Sequence, residues 1–413
     1  MQQSEVVIIG GGSAGLSAAI ASARLGTQVT VLEAGSRVGR KILASGNGRC
    51  NLTNVTVSPE AYSQPDFVAP VLAEYSFETV REFFGSMGLL VSANAEGRVY
   101  PVTNAAGSVL DVLRMECARL GVDTRCGFEV SHISQESAPV GFVVHSNDGE
   151  QLRAQALVVT TGGGDSFLSD VGHGSVASVP VLGPIRTNAE PIRGLSGVRI
   201  KCAASLLVGV DEPGVTGGAI ATERGELLFR EYGVSGIMVF DLSRYLEEGC
   251  VIAIDFFPDV PLPQLESMLA RRCAELPWRT AESFFVGMLN DRVARAVLRA
   301  AAVDSHTPAG VLPTIRLAAA LKEFRLEVTG RGEASQSQVT RGGAPVDEFD
   351  ARTMSSRLVG GLFAAGEVLD VDGRSGGYNL HWAWASGIVA GESAARFALD
   401  SGSAASKLEV SRD

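Results

Sequence analysis

A glycine-rich turn between a short β-branched segment and an alanine-rich segment constrains the fold of this chain more than any other feature. Residues 6–9 read Val-Val-Ile-Ile and lead into a turn that reads Gly-Gly-Gly-Ser-Ala-Gly over 10–15. Residues 16–25 are rich in Ala and Leu and are followed by Gly26, a residue typical of a helix C-terminus. Residues 28–32 then form a second apolar segment. The order strand, turn, helix, strand predicts one βαβ unit of an α/β fold.

Three glycines of the turn, Gly10, Gly12 and Gly15, fit the pattern G-x-G-x-x-G in the strand-to-helix context that dinucleotide binding requires. The first allows the tight turn, the second lets the backbone approach a pyrophosphate, and the third lets the helix pack closely on the strand. The N–H groups of Ser13 and Ala14 then face the phosphates at the positive end of the helix. A glycine turn that merely joins strand to helix is the alternative.

An acidic residue at the end of the second strand supports the nucleotide interpretation. Glu33 lies 18 residues after Gly15 (33 − 15 = 18), near the ~20 expected of the carboxylate that binds the ribose 2′-hydroxyl. We expect Ala34 to contact the same ribose. A carboxylate would repel a 2′-phosphate, so the site is predicted to take FAD or NAD and not NADP.

The segment 39–51 follows closely and combines glycines, amides and cations in thirteen positions. Backbone N–H groups and cationic side chains of such a loop can bind a pyrophosphate and the edge of a flavin. The alternative is a solvated basic loop. The predicted contacts are Gly39, Arg40, Lys41, Ser45, Gly46, Asn47, Arg49, Cys50 and Asn51.

A second glycine-rich turn follows an apolar segment, 358–365, near the C-terminus. In two-dinucleotide-fold flavoproteins a Gly-acid pair at a strand end holds the ribityl chain, and the next helix N-terminus stabilises negative charge on the reduced flavin. A purely structural helix cap would explain only one glycine. The predicted contacts are Gly366, Glu367, Asp370, Gly376, Gly377, Tyr378, Asn379 and Leu380.

Composition limits the remaining possibilities. The net charge of 35 − 46 = −11 disfavours polyanions except at a local basic patch, and no apolar stretch approaches the ~20 residues that span a bilayer. The six cysteines are far apart, without a CxxC pair, so we expect no metal site. The N-terminus shows no signal-peptide pattern, and we expect a cytoplasmic protein.

Several of these segments resemble the BaiN/RdsA-like family of NAD(P)/FAD-dependent oxidoreductases. The resemblance rests on the loop 39–51, the stretch 366–380, Thr-Arg-Gly-Gly at 340–343 and Thr-Met-Ser-Ser at 353–356. It implies a Rossmann-like FAD-binding domain of the two-dinucleotide-binding-fold type, formed by 1–190 and 345–413, with an inserted β-barrel-like and helical substrate domain at 191–344. It also implies a backbone contact from Val130 to adenine and a second nucleotide loop at Thr161, Gly162 and Gly163.

Two departures from the family pattern concern substrate access. The segment 164–191 is shorter and more polar than in the family, and His381 stands where many members have Gln. Both leave the cofactor assignment intact and predict that substrate access near the flavin differs from that in the family.

The resemblance also implies a reaction class. Family substrates include an unsaturated 3-oxo-steroid and a uridine of large-subunit ribosomal RNA that becomes dihydrouridine, so we expect reduction of a C=C conjugated to a carbonyl. NAD(P)H is the expected electron donor. Only one G-x-G-x-x-G motif is followed by the acidic residue that binds a ribose, so we expect no second nucleotide domain and only transient docking of NAD(P)H. A flavin oxidase of a small amine or ketone that uses O₂, and a non-catalytic flavin-binding module, are the alternatives.

Such a reduction needs a proton donor, and two residues are candidates. Cys50 follows Arg49, whose positive charge would lower the pKa of the thiol. His381 lies near the helix expected to face the flavin, and histidine titrates near neutral pH. In the alternative interpretation, both are core residues.

An RNA substrate would need a cationic docking surface. Residues 284–302 are predicted to form one helix, on which positions spaced by three and four share a face. A solvated helix face is the alternative. The arginines that could contact RNA are Arg271, Arg272, Arg292, Arg295 and Arg299.

Overall fold

The computed structural model describes residues 2–137, 140–164, 167–208 and 218–410, with 137, 140 and 402–410 described as backbone. The chain divides into two compact units, Pro180–Gln338 and a unit formed by Met1–Val179 together with Val339–Asp413. The sequence placed the corresponding boundaries at 190/191 and 344/345.

The strands of both units are defined over short ranges. In chain order they are β1 (Gln2–Ile9), β2 (Val29–Glu33), β3 (Thr53–Asn54), β4 (Val91–Ala93), β5 (Arg98–Pro101), β6 (Asp123–Cys126), β7 (Val130–Ser137), β8 (Val140–Ser146), β9 (Gln151–Val159), β10 (Val176–Val181), β11 (Ile185–Thr187), β12 (Arg199–Leu207), β13 (Ala219–Arg230), β14 (Gly233–Ser235), β15 (Val251–Asp255), β16 (Phe324–Arg331), β17 (Val339–Gly343) and β18 (Leu362–Ala364).

The helices lie in both units, and the first and last of them pack on the main sheet of the first unit. In chain order the helices of the chain are α1 (Ser13–Arg24), α2 (Arg40–Ala44), α3 (Pro65–Glu74), α4 (Phe77–Gly85), α5 (Ala106–Arg119), α6 (Ile237–Ser243), α7 (Leu262–Glu275), α8 (Ala281–Phe284), α9 (Asp291–Ala300), α10 (Thr314–Lys322) and α11 (Tyr378–Val410).

The main sheet of the first unit has the strand order β6-β2-β1-β9-β8-β7. Strands β6, β2, β1 and β9 are parallel, whereas β8 and β7 continue the sheet as antiparallel strands. Residues 151–154 of β9 pair with β8, and residues 157–159 pair in parallel with β18. Strand β18 therefore extends the parallel part of the sheet from the opposite end of the chain, and this confirms the predicted Rossmann-type α/β class.

Helices α1 and α11 cross on this sheet at a point where only glycine fits. A Cβ at Gly387 would overlap the carbonyl oxygen of Ala14, and a Cβ at Gly391 would overlap that of Ala18. The backbones therefore approach within van der Waals distance of each other, as small residues at a helix crossing allow. The first helix of the chain is thus packed on the last.

The second unit contains a closed barrel with the order β11-β14-β13-β12-β15-β16, which confirms the predicted β-barrel-like insertion. Its apolar core includes Leu206, Leu227, Phe229 and Ile252, all fully buried. The adjoining helices α7, α9 and α10 bury Leu265, Leu269, Val297 and Leu317 in the same cluster.

The helix predicted over 284–302 begins too early, because the structure has helix α9 only over Asp291–Ala300. Helix α8 ends at Phe284 and α9 begins at Asp291, with Gly287 between them at φ +81°. Asn290 caps α9, and its side chain accepts a hydrogen bond from the N–H of Arg292. The left-handed glycine keeps the chain out of helix after α8, and the Asn N-cap starts α9. The mixture of apolar and charged residues is compatible with a helix throughout and does not reveal this break.

Among the described residues, no helix is long and apolar enough to span a membrane. Within the same ranges, no group of three or more His, Cys, Asp or Glu side chains is arranged to hold a metal ion.

Candidate active site

Strands β1, β2, β9 and β18 are parallel, so their carboxyl ends lie on the same edge of the sheet. They end at Ile9, Glu33, Val159 and Ala364, and each is followed by a segment in which the sequence predicted cofactor contacts. In open α/β sheets, ligands bind in the crevice outside the carboxyl ends of the strands. The candidate site is this edge.

The first glycine turn is held against the neighbouring strands. The N–H of Gly10 donates to the carbonyl oxygen of Leu32 at 2.8 Å, and the Thr160 hydroxyl donates to the carbonyl oxygen of Gly10 at 2.9 Å. A Cβ at Gly15 would overlap that same carbonyl oxygen. Gly12 is the N-cap of α1, no side chain caps this helix, and a Cβ there would meet no heavy atom within 4 Å. The uncapped helix N-terminus therefore fits a phosphate.

Glu33 organises the backbone around this turn. Its Oε2 atom accepts a hydrogen bond from the N–H of Gly11 at 2.9 Å, and Oε1 accepts one from the N–H of Gly35 at 2.8 Å. Each carboxylate oxygen has lone pairs for a further donor, such as a ribose hydroxyl. Ala34 is exposed beside it. The Phe128 N–H donates to the Glu33 carbonyl oxygen at 3.1 Å, which brings the start of β7 at Val130 close to the same place.

The segment 39–51 is tied to the glycine turn and has an unusual backbone. The N–H of Gly39 donates to the carbonyl oxygen of Gly11 at 2.8 Å. Five residues adopt left-handed conformations, namely Gly39, Gly46, Asn47, Gly48 and Cys50, at φ +76°, +57°, +55°, +80° and +58°. Such conformations in non-glycine residues concentrate at functional sites.

The side chains of this segment point in several directions. Arg40 and Lys41 are exposed, and the Ser45 hydroxyl donates to the carbonyl oxygen of Ile42 at 2.7 Å. The Arg49 guanidinium lies 5.0 Å from the centroid of the Tyr100 ring. The sequence did not predict a role for Tyr100, because the short strand β5 gives little signal on its own.

Two buried polar atoms in the predicted cofactor loops have no hydrogen-bond partner. Among the described residues, the buried side-chain atoms without a partner are Asn51 Oδ1, Thr161 Oγ1 and Gln155 Oε1. An unsatisfied buried polar group costs about 1–3 kcal/mol, so such atoms usually mark a site where a ligand or water supplies the partner. Asn51 and Thr161 therefore fit a group rich in hydroxyl, amide and phosphate functions, as FAD is. Gln155 lies within β9, before the carboxyl edge.

The loop after β9 and the loop after β18 meet at Glu367. Its Oε1 atom accepts a hydrogen bond from the N–H of Thr340 at 2.7 Å, and its Oε2 lies 3.0 Å from Lys41 Nζ. A Cβ at Gly163 would lie 2.9 Å from Oε1 of Glu367, and one at Gly162 would lie 3.3 Å from Lys41 Nζ. Close packing therefore requires a glycine at 163, whereas at 162 the left-handed φ of +81° favours one.

The strand end at Gly366 is fixed by the last helix. The Gly366 N–H donates to Ser386 Oγ at 3.0 Å, and the indole N–H of Trp382 donates to the Gly366 carbonyl oxygen at 3.1 Å. Both partners are buried in α11. The Gly-acid pair thus has a rigid support.

The loop 370–379 is ordered by its own polar side chains. Asp370 Oδ1 accepts a hydrogen bond from the N–H of Gly342 at 2.9 Å. The Asn379 side chain accepts from the N–H of Gly373 at 2.8 Å and donates to its carbonyl oxygen at 2.9 Å. A Cβ at Gly377 would overlap the carbonyl oxygen of Thr53, whereas Gly376 has 3.6 Å or more to its neighbours. Helix α11 then begins at Tyr378, and Leu380 in its first turn is half-buried.

The motif at 340–343 carries a contact that the sequence did not assign. Arg341 Nε lies 2.7 Å from Asp372 Oδ1, and Asp372 is fully buried. Acids at 367 and 370 thus accept the backbone N–H groups of residues 340 and 342, and the acid at 372 binds the side chain of residue 341. The family resemblance of residues 340–343 was the sequence signal that could have found this contact.

The structure places His381 in the core. Its imidazole is fully buried, Nδ1 lies 2.8 Å from Thr53 Oγ1, and Nε2 lies 2.9 Å from the Tyr75 carbonyl oxygen. A carbonyl only accepts, so Nε2 carries the proton and Nδ1 accepts from the threonine hydroxyl. Burial lowers the pKa of His381 to about 4, although the hydrogen bond to Tyr75 opposes this. Both ring nitrogens are occupied by protein partners.

Cys50 is also fully buried. Burial raises the pKa of the thiol to about 11, against the opposing effect of a hydrogen bond with Ser45. Arg49 does not activate it, and its guanidinium lies against the Tyr100 ring instead. A thiol without accessible surface is poorly placed to reach a substrate.

The five arginines with a predicted RNA role differ in their contacts. Arg292 donates to the Ser196 carbonyl oxygen at 3.0 Å, and Arg299 donates to that of Arg193 at 2.9 Å, so these two share a face of α9. Arg295 forms an ion pair with Asp291 at 2.8 Å. Arg271 is exposed, and Arg272 donates to the Phe284 carbonyl oxygen at 2.9 Å.

This fold, with nucleotide-type loops at one edge of a parallel sheet, defines an FAD-dependent oxidoreductase of the Rossmann class. A family model matches the chain over residues 4–393, which is nearly its full length. The chain belongs to this family, described as the HI0933-like protein Rossmann domain.

Relatives with assigned activities cover almost the whole chain. A 3-dehydro-bile acid delta(4,6)-reductase of Clostridium scindens is 32% identical, over 94% of this chain and 98% of the relative. The ribosomal RNA dihydrouridine synthase of Escherichia coli is 30% identical, over 94% of this chain and 96% of the relative. The corresponding synthase of Haemophilus influenzae is 29% identical, over 96% of this chain and 99% of the relative.

Proposed function

We propose that this protein reduces a C=C bond conjugated to a carbonyl, with NAD(P)H as electron donor and a uridine of large-subunit ribosomal RNA as substrate. The observation that carries the proposal is the meeting of the predicted nucleotide loops at the carboxyl edge of β1, β2, β9 and β18. The relatives support the reaction class, because a delta(4,6)-reductase and a dihydrouridine synthase both name the reduction of a double bond.

The residues at this edge have separate tasks in the proposal. The N-terminus of α1 at Gly12, Ser13 and Ala14 binds the pyrophosphate, and Glu33 binds the ribose of the adenosine half. Asn51 and Thr161 hydrogen-bond the flavin half, where their buried oxygens have no protein partner. Bound FAD supplies hydride transfer.

The start of α11 has an electrostatic role. Its N-terminus at Tyr378 carries the positive end of the helix dipole and favours negative charge on an adjacent group. The ion pair between buried Asp372 and half-buried Arg341, together with the two hydrogen bonds between the Asn379 side chain and Gly373, holds this end in place. The helix is thereby preoriented, which is the usual origin of electrostatic stabilisation in a site.

The reduction also requires a group that delivers a proton to the substrate. Cys50 and His381 remain predictions for this role, and their complete burial favours a structural role for both. In that case an accessible group outside this pair delivers the proton.

A steroid enone is the second candidate substrate, and it is supported by the name of the 32% identical relative. The two substrates differ in size and charge, so they can be separated directly. An rRNA reductase needs a surface that binds a polyanion, whereas a steroid reductase needs only an apolar cleft.

Anaerobic turnover of the purified, FAD-loaded enzyme tests the proposal. NADH or NADPH is mixed with large-subunit rRNA from a strain that lacks the gene, or with an unsaturated 3-oxo-steroid, and products are measured by mass spectrometry. We expect dihydrouridine in the rRNA. Conversion of the steroid alone would favour the second candidate, and flavin that NAD(P)H cannot reduce would favour the non-catalytic module.

Exposure of the reduced enzyme to O₂ tests the oxidase alternative. A reductase should form peroxide slowly compared with its turnover on substrate. Fast, stoichiometric peroxide formation at the rate of turnover would contradict the proposal.

A further inference from the structure

We propose that Trp278, Arg272 and Arg279 form an RNA-docking platform on the second unit, in which an unpaired base stacks on Trp278 and a phosphate binds the two guanidinium groups. This inference rests on the proposed function, since it assumes an RNA substrate. It concerns residues outside the flavin-binding unit.

The two guanidinium groups of the platform converge on one backbone carbonyl. Arg272 Nη2 lies 2.9 Å and Arg279 Nη1 lies 3.4 Å from the carbonyl oxygen of Val286. Their other acceptors are the carbonyl oxygens of Phe284 and Ser283, at 2.9 Å and 3.3 Å. Two positive charges thus lie close together with only neutral partners.

This lack of acidic partners distinguishes the pair from three other arginines of the unit. Arg295, Arg199 and Arg224 each form an ion pair with a carboxylate, at 2.8, 2.6 and 2.8 Å respectively. Within the described ranges, neither Arg272 nor Arg279 has a carboxylate within ion-pair distance. An anion bound there would relieve the repulsion between two like charges, and a phosphate can accept hydrogen bonds from both.

The cations are also held in place before any ligand binds. The Arg272 guanidinium lies 5.6 Å from the centroid of the fully buried Phe284 ring, and Arg272 belongs to α7. The Arg279 carbonyl oxygen accepts from the N–H of Ala309 at 2.8 Å. Less side-chain entropy is therefore lost on binding than with freely rotating arginines.

An exposed indole lies directly beside these cations. Trp278 is 75% exposed, although tryptophan is among the residues that gain most from burial. The Arg279 guanidinium lies 5.3 Å from the centroid of its ring. An aromatic ring next to arginines is the usual arrangement for binding single-stranded nucleic acid, because every base has a face that stacks.

RNA fits this surface better than a generic anionic partner does. The whole chain has a formal charge of −11, so long-range attraction cannot supply the affinity and local contacts must. A base next to a phosphate matches a ring next to two guanidinium groups. An acidic peptide would use the cations and leave the indole exposed.

Fluorescence makes a direct binding test possible. Two of the three tryptophans, Trp382 and Trp384, are buried, so quenching by a ligand reports mainly on Trp278. The FAD-loaded enzyme is titrated with a labelled single-stranded uridine-containing oligoribonucleotide, and tryptophan quenching and anisotropy are followed. We expect quenching, and affinity that falls as salt is raised.

Substitutions separate stacking from charge. Trp278→Ala should weaken oligonucleotide binding about tenfold, and Trp278→Phe should recover most of the loss, because a ring is retained. Arg279→Gln should weaken binding and lower the salt dependence by about one charge. Arg224→Gln, at an arginine paired with Asp259, is the matched control and should bind as the unchanged enzyme does.

The outcomes of the test are distinct for the platform and for the proposed function. Binding that is unchanged in both Trp278→Ala and Arg279→Gln, or tighter binding of a poly-glutamate peptide than of RNA, would overturn the platform. An RNA affinity that falls only in proportion to a loss of flavin reduction by NAD(P)H in the same variants would also overturn it, because the lost binding would then come from damage to the fold and not from the platform. Intact RNA binding that depends on Trp278, with no dihydrouridine formed, would instead refute the rRNA reductase function and leave the platform standing.

Discussion

Lys41 and Glu367 are 326 residues apart in the sequence, and their side chains form an ion pair with a distance of 3.0 Å from Nζ to Oε2. Lys41 is 69% exposed, so this pair adds little to the free energy of folding. The pair matters because it fixes positions: Glu367 also accepts a hydrogen bond from the N–H of Thr340. The candidate site therefore depends on segments from both ends of the chain.

Removal of the Thr161 hydroxyl should affect the cofactor and not the fold. Thr161→Val should weaken FAD binding about 3- to 10-fold, because the hydroxyl has no partner within the protein. The free energy of unfolding of the apoprotein should stay the same or rise. Calorimetric titration with FAD and urea unfolding measure the two effects. Gln155→Met removes another orphan acceptor away from the site, and a similar loss of FAD affinity there would contradict the interpretation.

Reversal of charge at Glu33 should abolish much of the FAD retention. Glu33→Arg removes the acceptor for the N–H groups of Gly11 and Gly35, and we expect FAD binding to weaken about 10- to 100-fold. The ratio of flavin to protein after purification measures this. Glu5→Arg is the control, since Glu5 also accepts a backbone N–H, from Gln28, but lies far from the strand ends. A Glu33→Arg protein that keeps its full flavin would refute the placement of the ribose.

His381 should make the protein less stable in acid. Its pKa is about 4 in the folded protein and about 6.5 when unfolded, so between these values only the unfolded chain takes up the proton. Stability is complete above pH 6.5 and falls as the pH decreases towards 4, by about 3 kcal/mol in total. Urea unfolding at several pH values measures the slope.

His381→Gln should flatten this acid dependence, because an amide can donate to the Tyr75 carbonyl oxygen and accept from Thr53 without titrating. Equal slopes for both proteins would contradict the buried neutral imidazole. The same variant tests catalysis, since a loss of turnover with flavin and fold intact would support the predicted proton donor.

Cys50 should react slowly with thiol reagents in the native protein. Burial keeps the thiol protonated, with a pKa of about 11, and shields it from solvent. Exposed Cys126 serves as the internal control. Mass spectrometry after brief treatment with iodoacetamide should find Cys126 modified and Cys50 not. Equal labelling would restore Cys50 as an accessible group, and unimpaired turnover of Cys50→Ala with intact flavin would exclude it as the proton donor.

The crossing of α1 and α11 should not tolerate a methyl group. Gly391→Ala would push a Cβ into the backbone of Ala18, and we expect a loss of about 1–3 kcal/mol in the free energy of unfolding. Gly107→Ala is the matched control, because Gly107 is also helical but has open space around it. That change should stabilise by about 0.5–1 kcal/mol. Urea unfolding that shows no difference between the variants would contradict the close approach.

The sequence was sufficient to predict the local structure of segments whose conformation depends on residues nearby in the chain. The turn at 10–15 and Glu33 specify strand, helix and strand within one short segment, and the structure has β1, α1 and β2 there. The glycines at 366 and 377 likewise lie where the chain leaves a strand and enters a helix.

The sequence was not sufficient to predict the environment of residues whose contacts come from distant parts of the chain. The environment of His381 is set by Thr53 and Tyr75, more than 300 residues away, so its burial could not be read from adjacent residues. The late start of α9 within 284–302 depends on Gly287, a left-handed glycine in an otherwise helix-compatible segment. The short strands β3, β4 and β5 went unrecognised because two to four residues give too little periodicity.

The contact of Gly391 with Ala18 has a consequence for biosynthesis. During translation the first βα unit emerges early, but the surface that covers Ala14 and Ala18 is synthesised only when the ribosome has passed residue 391. Until then the flank of α1 at Ala14 and Ala18 is uncovered. The close helix crossing therefore forms only after almost the whole chain has been synthesised, and the last helix completes the packing of the first βα unit.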